Sequence, residues 1–591
     1  MTAKPSATNY RFGRCELQPA ERRLLVDGAP VALGARAFDL LVALVERAGD
    51  LVTKAELLDR VWPGLVVEEN NLQVHVSALR KLVGTAAIAT VAGSGYRFTL
   101  QVERADRPAA ATPPQAAADK PSIAVLPFVN MSDDAANEYF ADGLAEELLN
   151  VLAKIRGLRV TSRTSAFSFR GAHVDIAAVA RALNVATILE GSVRKSGQRV
   201  RITAQLVHAA SDSTLWSQTY ERDLTDIFAV QDDIAHSVVK ELHAALLGEQ
   251  DAAEAARVSR EIAVAVNSRS ENMDAYQLYL QGKFFGRRFN ADDRAKAIDY
   301  LERALQCDPG YASAWAELSD AYLLQADGGL HGSLDKGIAL ARDAAARALA
   351  LAPDLGRGHA VMGNIHMHYD WDWMAAEIRY RRALELAPED ADSLADAARL
   401  AQRRGRLDES AVLLARLMAL DPLNVGAYHT LSVQFAVTGR PQEAEAALRK
   451  ALELNPSSTN VHAALSNLYL IEGRPSDALR EAQAEPHAGL KLTALAKALH
   501  ALGRFADSDV ALDQLIRDYA DYAAYQVATV YGQRGDADRA FDWLKRAYRQ
   551  RDTGLSSLKL NIILVRALQD DPRWEPFVEK VGLADVRTVQ F

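Results

Sequence analysis

The sequence predicts a multidomain chain: a small α+β domain, then an α/β domain, then an all-α superhelix. Three observations carry this. From about residue 271 the chain is rich in Ala and repeats with a fixed period, as stacked helical units do. Residues 103–121, ERADRPAAATPPQAAADKP, are rich in Pro and Ala and nearly free of large apolar side chains, so they read as a linker. On both sides of it, short apolar runs alternate with amphipathic stretches, the pattern of mixed strand and helix.

Composition narrows function before any motif does. A chain of 591 residues has room for several domains or a long array. The net charge is −9, so the chain as a whole is not a basic nucleic-acid binder, and any DNA contact must be local. Cys15 and Cys307 are the only cysteines, which excludes a disulfide framework and a Cys-based zinc site and suits a reducing cytoplasm. The N-terminus MTAKPSATNYRFGR lacks the apolar core of a signal peptide, and no window reaches the ~18 apolar residues a membrane helix needs. A cytoplasmic protein with no membrane contact is expected.

In the periodic part, residues 271–553, prolines recur at Pro353, Pro388, Pro422 and Pro456, with spacings of 35, 34 and 34. Glycines recur at Gly405, Gly439 and Gly473, 34 apart. A 34-residue period with Gly between two helices and Pro after the second is the tetratricopeptide pattern, and about eight units fit. In 425–458, Tyr428, Leu431, Ser432 and Phe435 are expected to form the apolar stripe of the first helix. Ala444, Leu448 and Ala451 form that of the second, with Gly439 at the turn. Units 488–520 and 521–553 keep this register, and the unit at 311–354 carries extra residues around Gly328–Gly332. Residues 246–270 read as a hinge or helix and 554–591 as a capping segment. One helix pair cannot bury its face alone, so pairs stack, and their concave groove is expected to take a protein partner.

Residues 10–102 read strand hairpin, three helices, second hairpin. LLVDGAPVAL turns at Asp27-Gly28. Ala35–Arg47 puts Phe38, Leu41, Leu44 and Val45 on one helical face, and Gly49 stops it. Thr53 and Glu56 form a capping box ahead of helix Lys54–Val61. Glu69–Val83 has Leu72, Val76, Leu79 and Val83 on one face and Asn71, Gln73, Val74, Ser77, Arg80 and Lys81 on the other. TVAGSGYRF is a hairpin that follows directly; its Gly-Ser-Gly opens no helix and is a turn, not a phosphate loop.

This order, and the segments VTKAELLDRVWPG, VEENNLQVHVSALRKLVG and TVAGSGYRF, closely resemble the C-terminal output domain of OmpR/PhoB-type transcriptional regulators. The resemblance implies a winged helix whose third helix enters the DNA major groove while the wing touches the minor groove. Asn71, Gln73, Val74, Ser77 and Lys81 would then face the groove, and Arg80, Lys54 and Arg97 would contact phosphate. Gln suits adenine, and phosphates need cations. Residues 10–102 hold eleven Lys/Arg against ten Asp/Glu, so weak monomer affinity is expected, with a homodimer or more copies on tandem half-sites.

Residues 122–245 read as an α/β domain: strand SIAVLPFV, amphipathic helix 136–155, strand LRVTSR, helix DIAAVARALN, strands ATILEGSVRK, VRITAQLVHA and TLWSQTYER, and helix DIFAVQDDIAHSVVKEL. The first half resembles the N-terminal domain of TolB. The whole is similar to a module that lies between output domains and tetratricopeptide repeats in bacterial proteins, an adenylate-cyclase domain taking the N-terminal place in some. Here the winged helix holds that place, and no P-loop or nucleophile elbow occurs. Asp133, Asp134, Glu138, Asp142, Glu146 and Glu147 are expected on a solvated helix face. His366, Met367 and His368 with Asp370 and Asp372 are the most metal-like cluster, yet they fall in a repeat helix and turn and, with Trp371 and Trp373, read as packing. No catalytic residue, metal or cofactor is expected.

The expectation is a bacterial DNA-binding transcriptional regulator acting on double-stranded DNA. Ligand or partner binding to the α/β and repeat regions would control it, because no phosphorelay receiver domain precedes the winged helix. The domain order resembles CadC/ToxR-type regulators, with the Ala/Pro linker where those carry a membrane helix. The alternative is an interaction scaffold whose winged helix no longer binds DNA.

Overall fold

The computed structural model describes residues 9–18, 23–26, 29–31, 35–61, 69–91, 94–105, 121–132, 134–155, 157–170, 175–247, 270, 272–286, 291–327 and 334–586. The Asp27-Gly28 turn, the linker from 106 to 120, most of the 246–270 hinge and the Gly328–Gly332 insertion lie outside the described residues. The chain divides into two compact units, residues 1–119 and 120–591. Among the described residues, no helix is long and apolar enough to cross a membrane.

The first unit opens with antiparallel strands β1 (Asn9–Phe12), β2 (Cys15–Gln18), β3 (Arg23–Val26) and β4 (Ala29–Val31). Helices α1 (Ala35–Glu46), α2 (Lys54–Val61) and α3 (Glu69–Val83) follow, with strand β5 (Leu51–Thr53) before α2. Strands β6 (Ile88–Val91) and β7 (Gly95–Phe98) form the wing, and β8 (Glu103–Ala105) closes the unit. β8 pairs with β1 at the edge of the order β4-β3-β2-β1-β8. This corrects the linker boundary: residues 103–105, read as linker, complete a five-stranded sheet. Their polar side chains concealed a strand that backbone pairing with β1 supplies. The sheet holds Tyr10, Phe12, Cys15, Leu17 and Leu24 on the buried side, an alternation of period two.

The second unit begins with β9 (Ser122–Val125), β10 (Val129–Asn130), α4 (Glu138–Ala153), β11 (Arg159–Val160), α5 (Arg163–Ala166) and α6 (Ile176–Leu183). Long strands β12 (Thr187–Ser196), β13 (Arg199–His208) and β14 (Ser213–Asp223) lead to α7 (Ile227–Leu247). The sheet order is β11-β9-β12-β13-β14, with β10 beside β12. β11, β9 and β12 are parallel, as crossover helices require, and β12, β13 and β14 form an antiparallel meander.

Eight antiparallel helix pairs follow among the described residues, from Met273–Gly286 with Ala291–Cys307 to Ala524–Gln533 with Ala537–Arg549. The period comes from a repeated turn. Gly405, Gly439, Gly473, Gly503 and Gly535 sit at φ 72, 72, 73, 73 and 76°, where a Cβ is strained. The residue after each donates its N–H five residues back: Arg406 to Ala401, Arg440 to Phe435, Arg474 to Tyr469, Arg504 to Leu499 and Asp536 to Tyr531. In the third pair the helix ends in a π segment, His366–Asp370, and Trp371 takes the left-handed position at φ 55°. In the fifth pair the stripe differs from expectation: Ala427, Thr430, Ser432, Gln434 and Val437 are buried, while Tyr428, Leu431 and Phe435 are only partly so. Neighbours on both sides cover this helix, so no single stripe decides burial.

The array is closed at both ends. The apolar face of the first pair lies against α4 and α7, and one core runs from Phe140 and Ile234 to Tyr276 and Leu301. Gly143 permits this approach, since a Cβ there would stand 2.8 Å from Leu280. At the other end Trp574, Phe577 and Val578 bury the last face, and the chain turns back: Trp373 Nε1 donates to Val581 O at 2.9 Å, and Arg404 pairs with Asp585. The α/β domain also touches the fourth pair. Ser162 N–H donates to Leu420 O at 2.9 Å, Arg159 donates to Ala419 O at 3.2 Å, and Ser165 Oγ bonds Asp421.

The acidic residues of α4 correct the expectation. Asp142, Glu146 and Glu147 are buried rather than solvated. Arg170 holds Asp142 at 2.6 Å, Arg163 holds Glu146 at 2.6 Å, and Lys283 reaches Glu146 at 2.8 Å and Glu147 at 3.3 Å. The cations come from distant segments, which the spacing of the acids does not reveal.

Candidate nucleic-acid interface

α3 is amphipathic because its apolar residues fall on one face: Leu72, Val76, Leu79 and Val83 are buried in the domain core. Gln73, Ser77 and Lys81, four residues apart, are exposed on another face, and Val74 beside them is 60% exposed. These side chains lie within about 100° of helix circumference, narrow enough to enter a groove. Asn71 lies in the helix; its side chain falls outside the described residues.

Arg80 is engaged within the domain. Its Nε and Nη2 donate to Ile88 O at 3.0 and 2.6 Å, and Nη2 also donates to Thr90 Oγ1 at 2.8 Å. The guanidinium thus clamps the end of α3 to the first wing strand. Fork geometry suits it to this task, since one planar group satisfies a carbonyl and a hydroxyl together. Arg97 is exposed on β7, between the buried Tyr96 and Phe98. Lys54 opens α2, half-buried, and its backbone N–H donates to Ser94 O at 3.2 Å.

The wing is fixed to the helices from a second side. β5 pairs with β7, so Leu51, Val52 and Thr53 face Arg97, Tyr96 and Gly95. A Cβ on Gly95 would stand 2.1 Å from Val52 O, so only glycine permits this approach. Thr53 then caps α2: Glu56 N–H donates to Thr53 Oγ1 at 3.2 Å, and Thr53 N–H donates to Glu56 Oε2 at 2.8 Å. These bonds, with Arg47 beside it, hold the Glu56 carboxyl down at about 2. Other arginines of the domain serve the fold too: Arg47 pairs with Glu56 at 3.1 Å, and Arg60 pairs with Glu46. The sequence showed which residues are basic; it did not show that Ile88 and Thr90 would engage Arg80.

The cluster at His366 is structural. His366 Nδ1 bonds Asp370 Oδ2 at 2.9 Å, Arg342 takes Asp370 Oδ1 at 2.7 Å, and Met367, Trp371 and Trp373 are buried. Burial, with Arg403 and Arg399 nearby, holds His368 neutral, well below the usual imidazole range. Among the described residues no group of three or more His, Cys, Asp or Glu is placed to hold a metal ion.

Comparison with known families matches three parts of the chain. Residues 28–98 match the family described as transcriptional regulatory protein, C terminal. Residues 118–237 match HilA/YgeH-like transcriptional regulator, second domain, and residues 427–458 match the tetratricopeptide repeat. The chain therefore joins an OmpR/PhoB-type winged helix, a HilA-like second domain and tetratricopeptide repeats. It is 35% identical over 347 residues to a putative adenylate cyclase 3 of Rhizobium meliloti, covering 55% of this chain and 56% of that one. It is 38% identical over 98 residues to the phosphate regulon transcriptional regulatory protein PhoB of Pseudomonas aeruginosa, 16% of this chain and 43% of that one. It is 23% identical over 411 residues to the transcriptional regulator HilA of Salmonella typhimurium, covering 68% and 69%. The chain thus spans about half the length of the first two of these relatives.

Proposed function

We propose that this protein is a transcriptional regulator that binds double-stranded DNA through α3 and its wing, and that ligand or partner binding to residues 120–591 controls it in place of phosphorelay. The observation that carries this is the exposed face of Gln73, Val74, Ser77 and Lys81 on a helix whose wing is pinned by Arg80. A rigid helix and wing can enter a groove with little ordering cost. Gln73 supplies a base reader, Val74 an apolar contact for a thymine methyl, and Lys81 and Arg97 supply phosphate contacts.

The relative named as a putative adenylate cyclase favours the same division of labour. The alignment covers 55% of this chain, far more than the 119 residues of the N-terminal unit, so most of it falls on the α/β and repeat unit. We read that unit as a control region that serves different outputs, and the output here as the winged helix rather than an enzyme.

The test is binding of the full chain to labelled duplexes from its own upstream region at about 50 and 200 mM salt. Saturable binding that weakens with salt is expected. Gln73→Ala should cost about 1–3 kcal/mol and relax sequence preference, and Lys81→Ala should weaken all sequences alike and lower the salt slope by about 1. Absence of binding at the lower salt, or binding untouched by both changes, would leave the scaffold reading.

A further inference from the structure

Inside the repeat superhelix lies a cavity of about 480 Å³, within the size range of small-molecule pockets. The first helices of the fourth to eighth pairs line it, and the closing segment adds Ser557, Asn561 and Ile562 to its wall. The occupant is thereby surrounded by repeats and cap together, unlike a peptide laid along an open groove.

The polar lining has one sign. Arg399, Arg403 and Lys497 line the cavity, and no Asp or Glu does. The acids nearby are engaged behind the wall. Asp396 pairs with Arg399, and Asp552 accepts the N–H groups of Tyr525 and Gly554. Arg403 donates at 3.4 Å to His368, a neutral ring. Lys497 is 3% exposed, and its ammonium donates to Asn467 Oδ1 at 2.8 Å. Among the described residues no carboxylate lies within ion-pair distance of Arg403 or Lys497. Burial lowers Lys497 to about 8 and Arg403 to about 10. On the same wall Gln526 Oε1 is buried without a hydrogen-bond partner.

A buried ammonium without a counter-charge is costly, and folded chains avoid it unless the charge has work to do. We propose that this cavity binds a small organic anion, whose carboxylate or phosphate groups neutralise Lys497 and Arg403 while its apolar part lies against Leu468, Ile471, Leu490 and Ile562. The inference concerns binding alone and does not depend on the DNA-binding reading.

The probe is 1-anilinonaphthalene-8-sulfonate, which joins an anionic group to apolar rings, titrated into the full chain at about 150 mM salt. One equivalent should bind saturably, and Lys497→Met should weaken it about tenfold or more. Arg403→Gln, which keeps a polar side chain, gives the same reading should Lys497→Met fail to fold. Citrate and pyrophosphate as competitors distinguish a carboxylate from a phosphate ligand. The proposal falls if the folded variants bind the probe as the wild type does. It also falls if neutral N-phenyl-1-naphthylamine binds equally well, or if neither competitor displaces the probe.

Discussion

Two buried lysines in one folded unit have opposite surroundings. At the seam between the α/β domain and the first helix pair, Lys283 is 7% exposed and ion-paired with Glu146 and Glu147. In the cavity of the later pairs, Lys497 is 3% exposed with an amide oxygen as its partner. The first joins two parts of the fold, and its charge is satisfied there. The second has its charge held in a cavity whose lining offers no counter-charge. Burial alone does not mark a binding residue; burial without compensation does.

The largest effect that separates the two comes from removing the paired cation. Lys283→Met leaves two buried carboxylates short of a partner and should destabilise the second unit by about 3–5 kcal/mol, read by urea unfolding of the full chain. Lys497→Met should do the reverse. The folded chain holds this amine at about 8 and the unfolded chain near 10.5. Between those values the unfolded chain binds more protons, so wild-type stability rises with pH there, by about 3 kcal/mol in total. Lys497→Met should abolish that rise and be the more stable protein at pH 7. Thermal unfolding from pH 7 to 11 checks both. A wild-type curve that is flat above pH 8 would break the contrast.

Arg80 sharpens the comparison from the winged helix, where a cation is satisfied by backbone instead of carboxylate. Arg80→Met should lower the hydrogen-exchange protection of Ile88–Val91 by about 2 kcal/mol, the worth of charge-assisted bonds lost from one side. The smallest effect is expected at the cap of α2, where Thr53→Ala should cost about 1 kcal/mol, read as faster exchange in Lys54–Val61.

Much of this molecule was legible in its residues. The bounds of α3 follow from Leu72, Val76, Leu79 and Val83 at helical spacing, and the capping box of Thr53 and Glu56 from their separation by three. The repeat turns follow from glycines 34 apart that φ values of 72 and 73° require. Strand β8 was not legible, because ERA carries no apolar signal and depends on β1 for its pairing. Nor was the partly buried state of Tyr428 and Phe435, which neighbouring pairs decide. On α3 the sequence placed Arg80 and Lys81 together on the polar face. The fold ties Arg80 to Ile88 and leaves Lys81 exposed.

By itself the sequence determined the order of domains, the period of the array and the exposed face of α3. Each of these rests on spacing within a few turns of one chain segment, where side-chain direction follows from position. Only the tertiary structure decided which charges meet. Lys283 reaches Glu147 across 136 residues, Asp421 reaches Ser165 across 256, and Lys497 meets no carboxylate among the described residues. The interaction of charges depends on distance and burial, and for groups so far apart in the chain both are set by how the α/β domain and the helix pairs pack together.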